Sequence, residues 1–336
     1  MTSQQRPTLE AVAALAGVGR GTVSRVVNGS PKVSPQAREA VLNAIDELGY
    51  VPNRAARMLV TRRTDTVALV MSEMEEKVFA EPYFAGIIRG ISHGLADTGL
   101  QLLLTIAHSQ AEHKRLEHYL TDQHVDGVLL SGLHGDDSLP RHLEENGVPT
   151  VCVGGPVGLE PVSYVDADNA GGAREAVNHL IERGRRRIAT ITGPQDMRVG
   201  VERLGGYCAA LASAGLPEGG VAYGDFGEES GAQAMRDLLA REPDLDAVFT
   251  ASDPMAIGAM RVLKESGRRI PDDVAVVGFD DSATARHTVP PLTSVHQPLE
   301  SMGREMARLL YARIKGETPE HPAVILETHL VVRESS

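Results

Sequence analysis

The sequence predicts an N-terminal all-α helix-turn-helix head followed by an α/β body of two doubly wound parallel-sheet subdomains. Three observations carry that expectation. Within the first 50 residues, short apolar periodicities at three- and four-residue steps are broken by glycines. From Thr66 onward, β-rich runs alternate with helical segments, the pattern of parallel sheets built from right-handed βαβ units. The charge divides at the same place: residues 1–64 carry nine basic and four acidic side chains, net +5, which leaves −17 on the remainder of a chain of formal charge −12. A basic head on an acidic body predicts that the head meets a polyanion and the body binds something else.

In the head, Leu9, Val12, Ala13 and Ala16 recur at helical spacing, Thr8 can cap the helix they imply, and Glu10 suits its first turn. The following stretch, GVGRGTVSRVVNG from Gly17 to Gly29, sets three glycines within five residues ahead of an apolar run. A dinucleotide-binding loop would need a strand before it and glycine at its third fixed position, but the preceding element is helical and Thr22 stands where that glycine belongs. A tight turn at Ala16-Gly17-Val18, with Gly17 at positive φ, fits both sides, and a second helix then turns Val23, Val26 and Val27 inward. Its exposed face offers Arg20, Gly21 and Arg25 to base edges, with Thr22, Ser24 and Asn28 available to DNA phosphates. Ser34-Pro35 reads as the cap and first residue of a third helix carrying Val41, Leu42, Ile45 and Leu48 and stopped by Gly49.

The segment YVPNRAARMLV, Tyr50 to Val60, allows one helix of about eight residues from Asn53, too short to stand alone in water. Beyond it, strands are expected in TVALVMS, LQLLLTIA, VDGVLL, TVCVGG, SYVDAD, RIATITG, AVFTAS, VAVVGFDD and TSVHQP. Helices are expected at 84–97, 110–122, 138–146, 169–183, 200–215, 228–241, 254–267 and 300–315. That is too many strands for one sheet of common size. Ligands of such sheets bind beyond the carboxyl ends of the strands, where Ser72, Ser131, Asp280 and Gln297 fall, while Arg203 opens a helix turn and Phe226 follows the strand-like VAYGD.

Several classes are set aside by the same reading. No uncharged apolar run reaches about 18 residues and MTSQQRP has no apolar signal core, so neither export nor membrane insertion is expected and a cytoplasmic location is. Cys152 and Cys208 are far apart and read as free thiols. His108, His113 and His118 recur every five residues, which turns each about 140° from the last and denies them one metal-binding face. Asp280-Asp281 and Asp166/Asp168 could be paired catalytic carboxylates, but no nucleophile elbow, phosphate loop or metal spacing accompanies them. No catalytic residue, cofactor or metal is assigned.

The run TLEAVAALAGVGRGTVSRVVNGSPKVSPQAREAVLNAIDELGYVPNRAARML resembles the DNA-binding head and hinge of the lac-repressor (LacI/GalR) family. The segments VDGVLLSG, VDADNAGGAREAVNHL, RLGGY, ASDPMAIGAM, VAVVGFDDS and PPLTSVHQP follow with that family's look and order, and Ala11 departs from the acidic residue of many members. The resemblance implies a head at 1–52, a hinge helix and linker at 53–65, and a periplasmic-binding-protein-like effector and dimerisation body at 66–336 whose lobes exchange chain near 165–168, 292–297 and 320–327. It makes Arg20 and Arg25 base readers, and Leu59 a minor-groove wedge with Ala56 beside it and Asn53 and Arg54 near phosphates. In the body it implies that Arg203 and Asp280 bind ligand hydroxyls and that Phe226 is a stacking wall, while Ser252 stands where sugar-binding members often have asparagine. Tyr83-Phe84 and Phe226 are shared with the purine-binding branch, yet Met197 and Val199 replace that branch's polar base readers. The implied protein is a DNA-binding transcriptional regulator, most similar in look to cellobiose- or β-glucoside-responsive members. It would be a nucleoid-associated repressor freed from a palindromic double-stranded operator by an oligosaccharide, the alternative being a purine or other corepressor. No leucine heptads follow LVVRESS, so a homodimer is expected.

Overall fold

The structure, a computed structural model, describes residues 7–27, 30–51, 63–135, 137–154, 162–317 and 323–336. They fall into two compact units, Met1–Thr64 and Asp65–Ser336. The sequence-assigned Asn28, Asn53, Arg54, Ala56 and Leu59 lie outside the described residues.

The head is three helices, α1 (Leu9–Ala16), α2 (Arg20–Val27) and α3 (Pro35–Leu48). Thr8 accepts the Ala11 amide at the start of α1, and Ser34 accepts the Ala37 amide at the start of α3, each filling one orphan donor of a first turn. Gly17 ends α1 at φ 66° and Gly49 ends α3 at φ 58°, backbone states that would cost any side-chain-bearing residue energy. Val12, Ala13, Val23, Val26, Val41 and Ala44 close one core, which Tyr50 joins from just beyond α3. Leu42, counted with the apolar set of α3, is instead 52% exposed.

The body contains two sheets of six strands. The first joins β1 (Thr66–Met71), β2 (Gln101–Ile106), β3 (Gly127–Ser131), β4 (Thr150–Val153), β5 (Ser163–Ala167) and β11 (Ala323–Leu326) in the order β11-β5-β4-β3-β1-β2. The second joins β6 (Ile188–Thr192), β7 (Val221–Tyr223), β8 (Ala247–Thr250), β9 (Ala275–Asp280), β10 (Thr293–His296) and β12 (His329–Val331) in the order β12-β10-β9-β8-β6-β7. Each is the same doubly wound unit with one added edge strand. All pairings are parallel except β10 with β12, because a chain crossing over to a far edge can run either way there. Both faces of each sheet are covered: one core packs β1, β3 and β4 under helices Pro82–Leu95 and Leu299–Ile314, and another packs β8, β9 and β10 under Asn169–Glu182 and Arg198–Ser213. The chain passes between the lobes after Ala167, after His296 and after Leu326.

The helix expected at 84–97 runs Pro82–Leu95, and a short helix that the sequence reading did not assign, Glu75–Ala80, precedes it. Glu75–Ala80 and Pro82–Leu95 are separate because Pro82 drives the preceding residue out of the helical region, leaving Glu81 at φ −89°, ψ 124°. Arg203 lies in the second turn of Arg198–Ser213. Among the described residues, no helix is long and apolar enough to cross a membrane, and no group of three His, Cys, Asp or Glu side chains is placed to hold a metal ion.

Helices Pro82–Leu95 and Leu299–Ile314 approach each other through Gly86, Gly90 and Gly94, spaced four apart on one face. A Cβ on Gly90 would lie 2.2 Å from the Glu300 carbonyl oxygen. Gly90→Ala should therefore lower stability by about 1–3 kcal/mol through overpacking. Urea denaturation reads it as a lower midpoint at constant slope, and an unchanged midpoint would mean that these helices do not meet at Gly90.

Candidate functional site

Helix α2 turns Val23 and Val26 into the head core, so Arg20, Gly21 and Arg25 are left on its exposed side with Thr22 and Ser24 half-buried beside them. Arg20 Nε rests 3.2 Å from Glu10 Oε1, and both side chains are largely exposed, so the pair contributes little to stability and is readily given up. Arg25 projects from the last turn of the helix.

In the body, the described residues form a cavity of about 460 Å³ between the lobes, inside the roughly 300–1,000 Å³ range of small-molecule sites. Tyr83, Phe84, Arg203, Phe226, Ser252, Asp280 and Gln297 all line it. Ser72 and Ser131 do not: they are buried at the ends of β1 and β3, where the Ser72 amide donates to the Ser131 carbonyl. The cavity lies off the carboxyl ends of strands in both sheets, where doubly wound folds hold ligands.

Arg203 organises one side. Its guanidinium donates to Asn169 Oδ1 at 2.9 Å, to Gln297 Oε1 at 3.1 Å and to the Ala251 carbonyl, stands 3.5 Å from Asp280 Oδ1, and lies 3.6 Å over the Phe279 ring. Burial pulls its pKa down from the ordinary value, and Asp280 and Asp166 oppose that pull. Such a cation is already satisfied. It therefore fixes the positions of Asp280 and Gln297 more than it waits for a ligand.

Asp280 ends β9 at φ 107°, a strained backbone state for a residue with a side chain, and Asp281 follows at φ 50°. Burial pushes the Asp280 carboxyl upward, with Arg203 opposing, and pushes its neighbour Asp253 upward as well. Asp253 is held by Ser294 Oγ and the Ser282 amide, both donating at 2.6 Å. Phe226, at φ 73°, presses its ring against Gly193, where a Cβ would sit 2.2 Å from Cζ. Ser252 Oγ donates to the Phe226 carbonyl at 2.8 Å and accepts the Met255 amide, so this serine positions the aromatic wall and caps a helix. On the other lobe, Tyr83 and Phe84 meet edge to face at 5.2 Å.

The paired carboxylates weighed as catalysts separate in space by role. Asp168 caps Asn169–Glu182 through the Gly171 amide, and Asp281 is held by Arg333 and by His296 Nδ1 at 3.1 Å. Neither leaves two carboxyls flanking one reacting position.

Sequence reasoning missed Glu73, Glu81 and Asp166 as lining residues, and the contacts that span the cleft. Burial pushes Glu81 up to about 7 and Asp166 up to about 6. His134, beyond β3, reaches Asp196, beyond β6 on the other lobe, at 3.0 Å through Nδ1, and reaches Glu73 at 3.0 Å through Nε2. The Gly135 amide donates to the Asp196 carbonyl at 3.0 Å, and the Arg198 guanidinium lies 4.9 Å over the Tyr164 ring of β5. Glu73 also pairs with Lys77 at 3.3 Å, and its hydrogen bond to His134 raises the histidine pKa. The signal for Asp166 was its place at a strand end in VDADN. Nothing in one sequence signals a histidine whose two partners are about 60 residues away on either side.

Comparison with known proteins supplies the family. Residues 8–53 match the bacterial regulatory proteins of the lacI family, and residues 177–336 match a periplasmic binding protein-like domain. The chain is 63% identical over the full length of both proteins to the HTH-type transcriptional regulator CelR of Thermobifida fusca, and 36% identical to the HTH-type transcriptional repressor PurR of Erwinia tasmaniensis, covering 98% of this chain and 96% of that one. Among solved structures, a transcriptional regulator CelR–cellobiose complex superposes with a TM-score of 0.80 at 61% identity, over 98% of this chain and 100% of that one. The lac repressor dimer bound to operator and an anti-inducer superposes at 0.86 with 28% identity, over 98% and 99% of the two chains. A three-helix head, two like-wound lobes around a cavity and these matches lead to one conclusion: the chain belongs to the lacI family of bacterial DNA-binding transcriptional regulators.

Proposed function

We propose that this regulator is a homodimeric, cytoplasmic, nucleoid-associated repressor of sugar-utilisation genes, released from a palindromic operator by cellobiose or a related β-glucoside. The observation that carries the reading is the cavity itself. Asp280 and Gln297 offer hydroxyl-binding groups on the fixed Arg203, and Phe226 offers a ring to a sugar's C–H face. The solved relative named with cellobiose, at 61% identity over nearly the whole chain, supports it. Met197 and Val199 on the cavity wall give a purine no polar edge to pair with, so the PurR-like alternative ranks below.

In this reading, residues 1–52 read DNA, residues 53–65 form the hinge, and residues 66–336 bind effector and dimerise. Arg20 and Arg25 meet guanine O6 and N7, Gly21 contributes no side chain, and Thr22, Ser24 and Asn28 hold phosphates. Asn53 and Arg54 hold phosphates at the hinge, and Leu59 with Ala56 opens the central step. Arg203 and Asp280 both belong to the second lobe, so a ligand links the lobes by also reaching first-lobe wall residues such as Tyr83 and Phe84. It thereby selects one lobe orientation, and in the dimer that orientation sets the spacing of the two hinges. Ser72 and Ser131 support the first-lobe wall from behind, and Ser252 supports the second-lobe wall by holding the Phe226 carbonyl.

Arg25→Ala should weaken operator binding by about 1–3 kcal/mol and relax the preference at one base pair of each half-site. Binding sites selected from random DNA by the unaltered protein should form a palindrome with G·C pairs at the positions read by Arg20 and Arg25; an A/T-rich, non-palindromic consensus would refute the assignment.

Asp280→Asn should keep operator binding while weakening cellobiose about 10- to 100-fold, the span of one hydrogen bond to a charged group. Calorimetry on the full chain measures it. Equal sugar affinity in the variant would remove Asp280 from the site.

The His134 bridge predicts a pH dependence of the same switch. Its pKa is raised by Glu73 and Asp196, so the bridge is strongest below a free histidine's value of about 6.5 and is lost as pH rises through the raised value. Energy transfer between dyes on the two lobes should report closure that weakens on going from pH 6 to pH 8, and His134→Gln should flatten that profile. A variant with the wild-type pH response would show that another group titrates.

A further inference from the structure

Asp166 and Glu81 have unfinished hydrogen bonding on the cavity wall. Asp166, at the end of β5, is 3% exposed, and its Oδ1 accepts the Ala167 amide at 2.8 Å and the Asn169 side-chain amide at 2.9 Å. Its Oδ2 is buried with no hydrogen-bond partner, and so is Glu81 Oε1 at the break before Pro82. Both residues line the cavity. An unpaired buried acceptor is costly, and the cost is recovered when a ligand brings an O–H to it. Each described arginine on the same wall already holds a carboxylate: Arg89 Nη1 lies 2.9 Å from Glu300, Arg198 Nε 2.6 Å from Glu202 and Arg203 3.5 Å from Asp280, and the His296 ring is taken up by Asp281 at 3.1 Å. The wall therefore offers hydroxyl acceptors and no free cation.

We infer that Asp166, seconded by Glu81, is a specificity-determining locus that accepts hydroxyls of a neutral saccharide and rejects phosphorylated or carboxylated ones. A phosphate ester brings acceptors and negative charge to acceptors that are themselves acidic, with no guanidinium free to meet it. Asp166 also connects to the platform on the far side: its Oδ1 holds the Asn169 amide, Asn169 Oδ1 holds Arg203, and Arg203 holds Gln297. Loading Asp166 Oδ2 thus acts on the same chain of hydrogen bonds that positions Asp280. The inference rests on the saccharide reading above and names the ligand class within it.

Calorimetric titration of the full-length protein with cellobiose, cellobiose 6-phosphate and cellobionic acid tests it, with operator binding in the absence of sugar as the control for folding. Wild type should bind cellobiose at least 100-fold more tightly than either anion. Asp166→Asn keeps Oδ1 and replaces Oδ2 by a donor; it should weaken cellobiose at least 10-fold and narrow the discrimination against the anions. Glu81→Gln, outside the Asn169–Arg203 chain, should act in the same direction and serves alone if Asp166→Asn fails to fold. Unchanged cellobiose affinity in both variants, or phosphate-ester binding equal to cellobiose, overturns the inference and leaves the saccharide reading standing. Failure of the folded, operator-competent wild type to bind any of the three overturns both.

Discussion

The body is organised around one buried cation. Taking a guanidinium out of water costs several kcal/mol, and Arg203 offsets this only by satisfying its donors with partners fixed elsewhere in the fold. Those partners are telling. Asn169 follows the first passage of the chain between lobes, Gln297 follows the second, and the Ala251 carbonyl and Asp280 stand at the ends of adjacent strands. Arg203 therefore ties two of the three interlobe connections to the floor of the cavity. Truncating it would leave buried acceptors uncompensated, at about 3–5 kcal/mol by the general behaviour of broken buried ion pairs. Arg203 is a structural hub of the second lobe.

The like winding of the two sheets explains why the cavity has polar walls on both sides. In each, the first strand lies between the second and the third, so the connections leave in opposite directions and open a crevice at the carboxyl ends. Two such crevices facing each other give one cleft whose wall comes from strand ends, helix starts and the loops between them, with the two sheets behind it. The cleft contacts of His134, Asp196 and Glu73 lie at that junction, between the loops that follow β3, β6 and β1.

Acidic residues in this chain divide by their partners. Asp168 caps a helix and Asp281 is held by Arg333, so both have a structural explanation, whereas Asp166 and Glu81 keep an oxygen unpaired on the cavity wall. The distinction lies in hydrogen-bond satisfaction, which residue type alone does not report. An acidic body around a cavity whose cations are already paired suits a neutral polyhydroxylated ligand.

Local chemistry alone determined much of this. Thr8, Gly17, Ser34, Pro35 and Gly49 set the three head helices because caps and positive-φ turns act within a few residues, and the alternation beyond Thr66 set a parallel α/β body because periodicity of two and of 3.6 is visible in one chain. The lac-repressor-like motifs named the residues that the cavity later gathered, among them Arg203, Phe226, Asp280 and Gln297. Only the tertiary structure decided that Ser72 and Ser131 lie behind the wall, that Ser252 holds the Phe226 carbonyl, and that Asp166 and Glu81, both lining the cavity, each keep a buried oxygen unpaired. These depend on groups far apart in sequence arriving together, as Arg203 and Gln297 do across 94 residues. Hydrogen-bond satisfaction is a property of that arrival, and no local pattern encodes it.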